Sequence, residues 1–312
     1  IYTLSLHDAL PISSLQKARL FVIASNRTAY TEVLRLWNTW KDPAVKSLPH
    51  GYGGLAKAFE YLNDVRAWAT QDRILATGVT AYWEDGLHSN EPHIRFEVEM
   101  WCRADTSKRD AAFMRLKSIV TGAGGQCIKQ VAIPDIDYHG VLVELPAAAV
   151  RATVDAIHSS KDTQLLRLTD VKYFSPIGQA SIALIGDGGI VAPPIRPVPT
   201  GDPVVAILDG MPLTNHAALQ DRLVVDDPDG FAEQYQAGEH RHGTAMASLV
   251  AHAEYDGNES ALKTKIYVRP VMVPGRPDLN NRRWETFPPN ELAVDLIHRA
   301  VRRMFDGEGA MP

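Results

Sequence analysis

Val204-Val205-Ala206-Ile207-Leu208 is an unbroken apolar run, closed by Asp209 and Gly210. A run with no polar break predicts a strand covered on both faces, and strands of that kind belong to parallel sheets roofed by their own crossover connections. A carboxylate at the carboxyl end of such a strand stands where open α/β sheets gather their functional groups. Further along, His240-Arg241-His242-Gly243-Thr244-Ala245-Met246-Ala247-Ser248 opens onto a helix of small residues, continued by Leu249 and Val250. Ile266 to Val273 is a second apolar run. The two runs are predicted to be parallel neighbours, or near neighbours, in one sheet, with the small-residue helix packed close by.

An Asp-Gly after a strand and a His-Gly-Thr at a helix start, in this order and 33 residues apart, resemble the Asp and His segments of the subtilisin-like serine peptidases (subtilases). The triad of that family runs Asp, His, Ser along the chain. The resemblance implies that Asp209 holds the imidazole of His242 in one tautomer and that His242 acts as general base toward a serine. Only His242 is followed by Gly-Thr, so His240 reads as a loop histidine. The sequence departs from the family at one point. Subtilases usually carry Ser or Thr between the Asp and the Gly, whereas here Gly210 follows Asp209 directly. The family's third segment, a Gly-Thr-Ser with a small residue and a proline behind it, does not occur in the chain. That segment and the oxyanion hole are expected downstream, and the chain as written is expected to be inactive. Ser248 lies six residues beyond His242, on a different helical face, and Ser181 has no glycine-rich elbow.

Residues 1–13 resemble the product of a sequencing-adapter oligonucleotide and are set aside from the fold, so the chain reads as a fragment. Residues 14–90 read as a helical region. Val33, Leu34, Trp37 and Trp40 share one face, and Leu55, Phe59 and Leu62 another, both as ordinary core. Residues 91–178 predict an α+β ferredoxin-like domain of order β-α-β-β-α-β. Its strands are read at Ile94 to Met100, Ile128 to Ile133, Val141 to Leu145 and Leu165 to Phe174. Its helices are read from about Ser107 to Thr121 and from Pro146, and Tyr138-His139-Gly140 is read as a turn. Subtilase propeptides share that plan and position. A Gly/Pro-rich linker is read at 179–202. The region 203–312 is then the N-terminal part of an α/β peptidase domain, ending in a helix from Glu291 to Phe305 with a solvated face of Arg299, Arg302 and Arg303.

The composition is 45% hydrophobic and 22% charged over 312 residues, enough apolar material for two domains. A net charge of −5 argues against a nucleic-acid binder. The absence of an apolar run of about 18 residues argues against a membrane span. Cys102 and Cys127 make no disulfide framework and read as buried free thiols, which suits a reducing, cytoplasmic setting. The resemblance implies a polypeptide substrate, no obligatory cofactor and, for some intracellular members, an AAA-type ATPase partner. Structural calcium occurs in the family, but no acidic cluster here has ligand spacing, and Asp226, Asp227 and Asp229 read as an acidic solvent loop. The expected function is a serine endopeptidase, preserved as a fragment. The alternatives are a non-catalytic interaction protein with a degenerate peptidase half, and a freestanding inhibitor formed by residues 93–175.

Overall fold

The computed structural model describes residues 2–9, 20–24, 27–44, 47–178, 197–253, 261–277 and 281–306. The chain is mixed α/β. At the N-terminus, β1 (Tyr2–Ala9) lies between β2 (Leu20–Ala24) and β3 (Leu62–Ala67) in an antiparallel sheet. Residues 2–9 of the segment set aside from the fold thus form the central strand of that small sheet. The region read as helical carries strands as well as α1 (Arg27–Lys41), α2 (Gly53–Phe59), α3 (Thr70–Leu75) and α4 (Val79–His88). The tryptophan face of α1 is core. Trp37 stacks on Trp40 at 5.4 Å and meets the edge of Phe59 at 5.2 Å.

The middle of the chain follows the order β4 (His93–Met100), α5 (Thr106–Gly122), β5 (Gln126–Ile133), β6 (Tyr138–Pro146), α6 (Ala147–His158), α7 (Gln164–Arg167) and β7 (Val171–Ser175). The sheet is antiparallel throughout, in the order β5-β6-β4-β7. This is the interleaved ferredoxin-like arrangement. Alternation along β4 sends Ile94, Phe96, Val98 and Met100 into a core completed by Ala112, Leu116 and Val120 of α5 and by Val150 and Val154 of α6. Two local readings are corrected. Tyr138 to Gly140 are strand, pairing with Ile133 to Val131, because the turn closes one residue earlier at Asp137, which takes φ 53°. Leu165 and Leu166 are buried in a helical turn capped by the Thr163 hydroxyl, and the strand begins only at Val171.

Of the predicted linker, only residues 197–202 are described, and Gly201 already begins a strand. The last region contains β8 (Gly201–Asp209), β9 (Leu223–Val225), α8 (Arg241–His252), β10 (Thr264–Pro270), β11 (Val273–Pro277), β12 (Arg283–Thr286) and α9 (Ala293–Phe305). Strands β8, β10 and β9 form a parallel sheet in that order, with Val205 to Asp209 in register with Ile266 to Pro270. The two apolar runs are thus parallel neighbours. Helix α8 packs on the sheet through Ala247 and Ala251 against Ile207, Ile266 and Val268. The hairpin β11-β12 stands apart from that sheet and faces the start of α8.

The reading of β8 as covered on both faces is corrected. Its burial alternates, and Val204 is 73% exposed. The reason is position. β8 is an edge strand, and its second face is open at Val204 and Ala206 and covered at Leu208, which packs against the cluster of Phe231, Val271 and Leu296. An exposed apolar strand edge is a template for self-association. Val204→Lys is expected to reduce concentration-dependent light scattering of the chain without lowering its helix content. Leu292 at the N-cap of α9 and Leu296 and Ala300 within it are fully buried, while Ile297 faces outward at 38% exposure.

The ferredoxin-like sheet meets the start of α9. The Lys129 ammonium of β5 lies 2.5 Å from Glu291 and 2.7 Å from Asp295, and an Arg95 guanidinium N–H donates to Asn290 at 2.8 Å. Asp295 in the first turn of α9, and Glu291 just before its N-cap Leu292, are carboxylates near the positive end of the helix dipole. Here they also hold a lysine from the neighbouring domain.

Candidate functional site

Each residue of the His-Gly-Thr motif touches the turn that follows β8. His242 Nδ1 lies 2.7 Å from Asp209 Oδ1. The same oxygen accepts the Gly210 N–H at 2.6 Å. A carboxylate can only accept, so it selects the tautomer with the proton on Nδ1 and leaves Nε2 as the basic nitrogen. Gly243 is required by proximity, because a Cβ there would stand 2.3 Å from the carbonyl oxygen of Gly210. The Thr244 hydroxyl accepts the N–H of Leu213 at 2.9 Å and ties down the far side of the turn. Small residues on α8 let the helix start come this close.

Asp209 is 6% exposed, and its backbone carbonyl accepts the Val271 N–H at 2.8 Å, which fixes the end of β8 to the chain leaving β10. The His242 side chain is 24% exposed and borders a cavity of about 300 Å³, which is also lined by Gln236, Arg241, Arg283, Trp284 and Glu285. His240 is directed elsewhere. Its Nδ1 lies 2.9 Å from the carbonyl oxygen of Met211, and its ring stacks on Tyr235 at 4.8 Å. Among the described residues no hydroxyl or thiol hydrogen-bonds to His242. Ser248 lies on α8, six residues beyond His242, and no hydrogen bond joins it to the imidazole; Ser181 lies outside the described residues.

Sequence reasoning missed Glu285. Its Oε2 accepts the backbone N–H of His242 at 2.9 Å, and its Oε1 lies 3.0 Å from the Tyr235 hydroxyl. It is 4% exposed. Burial pushes its carboxyl above the usual range, and the nearby charge of Asp209 adds to this. The hydrogen bonds from His242 and Tyr235, and the charge of His242, act the other way. The same carboxyl explains the departure at position 210, because a Cβ on Gly210 would stand 1.8 Å from Glu285 Oε1. A Ser or Thr side chain enters that space only if the Glu285 carboxyl moves out of it.

The acidic stretch after β9 is not a solvent loop. Asp226 is 9% exposed and accepts from Tyr267 and Arg303. Asp227 accepts the N–H groups of Phe231 and Ala232, and Asp229 pairs with Arg269 and Arg299. Of the helix face read as solvated, Arg299 is committed to ion pairs with Asp229, Glu291 and Asp295 and Arg303 to one with Asp226, while Arg302 stays exposed beside Asp306. Among the described residues no three His, Cys, Asp or Glu side chains are grouped to hold a metal ion, and no helix is long and apolar enough to cross a membrane. Cys102 and Cys127 are free and half-buried, and burial pushes both thiols up. No family model, curated protein or solved structure matches the chain.

Proposed function

We propose that residues 203–312 are the first part of a subtilisin-like serine endopeptidase domain, with Asp209 and His242 as the acid–base pair. The 2.7 Å contact between Asp209 and His242 at the carboxyl end of a parallel strand is the observation that carries this reading. In the complete enzyme His242 Nε2 takes the proton from a serine hydroxyl as its oxygen attacks the peptide carbonyl. Asp209 stabilises the imidazolium that results, and the proton passes from His242 to the departing amine. Water then attacks the acyl-enzyme with His242 again as base. The cavity beside His242 gives a polypeptide substrate an approach to Nε2.

The ferredoxin-like domain acts as the propeptide-like unit of the same chain, and its grip on the start of α9 through Lys129 supports that role. The enzyme needs no cofactor for the chemistry. Cytoplasmic placement and an AAA-type ATPase partner belong to the same proposal and rest on the resemblance alone, as does any structural calcium.

A fluorophosphonate probe tests the reading. The 312-residue chain is expected to remain unlabelled. A longer chain carrying a Gly-Thr-Ser segment is expected to label once per molecule, and to lose labelling with His242→Ala. Labelling of the 312-residue chain at a single serine would overturn the proposed division of the triad. A longer chain that keeps the Asp209–His242 pair but carries no nucleophile would assign the protein to the non-catalytic class.

A further inference from the structure

Glu285 takes no part in the proposed proton transfers, yet it touches both segments that carry them. It reaches the site from β12, 43 residues beyond His242. One oxygen holds the N–H of the second residue of α8, a group that has no partner within its own helix. The other faces Tyr235 and occupies the space beside Gly210. Tyr235 in turn accepts the Met211 N–H at 3.1 Å and lies 3.0 Å from the Met272 carbonyl. One carboxyl group thus braces residue 210, the head of α8 and the tyrosine that holds residue 211.

We propose that Glu285 is the positioning residue of the Asp209–His242 pair, acting as a neutral carboxylic acid that clamps the head of α8 against the turn after β8. This rests on the acid–base reading above and names what holds its geometry. The count of hydrogens supports the neutral form. Tyr235 has one hydroxyl hydrogen and faces two acceptors, the Met272 carbonyl and Glu285 Oε1. With Glu285 ionised, one of the two goes without that hydrogen in a buried site. With a proton on Oε1, Glu285 donates to the Tyr235 oxygen, Tyr235 donates to Met272, and Oε2 still accepts from His242. Every group is then satisfied, as buried polar groups require. The titratable groups facing Glu285 are Asp209 from β8, His242 from α8 and Tyr235 from the segment before α8. A neutral Glu285 leaves Asp209 as the one anionic partner of the imidazole among them, so the charge that stabilises the imidazolium stays on the side where Nδ1 is bonded.

The test uses the 312-residue chain and needs no catalysis. Nuclear magnetic resonance reads two signals, hydrogen exchange of the His242 backbone amide and the downfield resonance of the imidazole Nδ1–H. Glu285→Ala is expected to speed exchange of that amide by about tenfold or more, the change expected from losing one buried hydrogen bond, and to broaden the Nδ1–H signal. Glu285→Gln is expected to preserve both signals, because its amide oxygen accepts from His242 and its NH2 donates to Tyr235 as the neutral acid does. Gly210→Ser should disturb both signals by collision, and the double variant Gly210→Ser with Glu285→Ala should recover them, since the removed carboxyl vacates the space. Unchanged His242 signals in Glu285→Ala, or a Glu285→Gln as damaged as the alanine variant, would overturn the inference. Should Glu285→Ala not fold, a folded Gly210→Ser with undisturbed His242 signals overturns it equally. Asp209→Asn separates the two proposals. It should abolish the Nδ1–H signal while leaving the His242 amide protected, and a wild-type chain with no such signal would count against the acid–base pair itself.

Discussion

On the proposed mechanism, His242→Ala is expected to lower kcat by about 10⁶-fold, and Asp209→Asn by about 10⁴-fold, in a chain that carries the serine segment. The two losses differ because the residues do different things. In the proposed mechanism His242 moves the proton, and among the described residues no other imidazole is hydrogen-bonded to Asp209. His240, the only rival in the motif, is bonded to the Met211 carbonyl. In the same proposed mechanism Asp209 moves no proton. Its contribution is that Oδ1 accepts from Nδ1 at 2.7 Å and so keeps Nε2 free to act as base. An asparagine at 209 presents either a donor to Nδ1, which drives the ring hydrogen onto Nε2, or a neutral oxygen that stabilises the imidazolium poorly. KM should change little in either variant, because the interaction removed is one expected only in the transition state. Steady-state hydrolysis of a peptide anilide, normalised by active-site titration of the parent enzyme, measures both. Because the two residues act as a unit, the double variant should be no worse than His242→Ala. A double variant slower by the product of the two losses would show that Asp209 works on something other than His242.

The parts of this site that were legible in the sequence are those whose constraints fall within a few residues of one another. The His-Gly-Thr motif can be read because all three residues answer to one turn: the ring meets Asp209, the missing Cβ meets Gly210 and the hydroxyl meets Leu213. The ferredoxin-like order can be read because alternation along Ile94 to Met100 is a local consequence of a half-buried strand. Leu165 and Leu166 were misread because a short apolar run does not distinguish a buried helical turn from a buried strand. Val204 was misread for a different reason. An apolar side chain does not encode whether a neighbour is there to cover it, and β8 lies at an edge. Glu285 lies within Arg282-Arg283-Trp284-Glu285-Thr286, where no spacing marks it. Its role exists only because the β11-β12 hairpin comes up against the head of α8. The absence of Ser or Thr after Asp209 was visible from the start. Only the carboxyl filling that space gives the departure a physical cause.

Asp226→Ala is expected to destabilise the parallel-sheet region by about 3 kcal/mol, the lower end of the cost of removing one partner from a buried charge network. The network was hidden in the sequence because the arginines that complete it follow 40 to 77 residues later. Asp226 accepts from the Tyr267 hydroxyl at 2.5 Å and from Arg303 Nε at 2.8 Å, while its backbone carbonyl faces Arg269. Tyr267 is fully buried and Arg269 is 2% exposed, so neither can turn to water when the carboxylate goes. Arg303 is less enclosed, with 28% of its side chain exposed, which limits the loss. Hydrogen exchange of the β10 amides reads this region separately from the domains before it. The pH dependence gives a second, independent reading. Burial alone would push the Asp226 carboxyl up, but hydrogen bonds from Arg303 and Tyr267 and the charges of Arg303 and Arg269 hold it below its ordinary value of 3.8. A carboxyl whose pKa is lower in the folded chain contributes stability that is fully present above the unfolded value and is lost as pH falls through the folded one. The wild-type region should therefore lose protection as the pH drops below about 4, and Asp226→Ala should lose less over the same interval, since part of its loss is already present at neutral pH. Parallel acid profiles for the two chains would show that the ion pairs around Asp226 contribute nothing to holding the sheet, and that the cost of the substitution is lost packing alone.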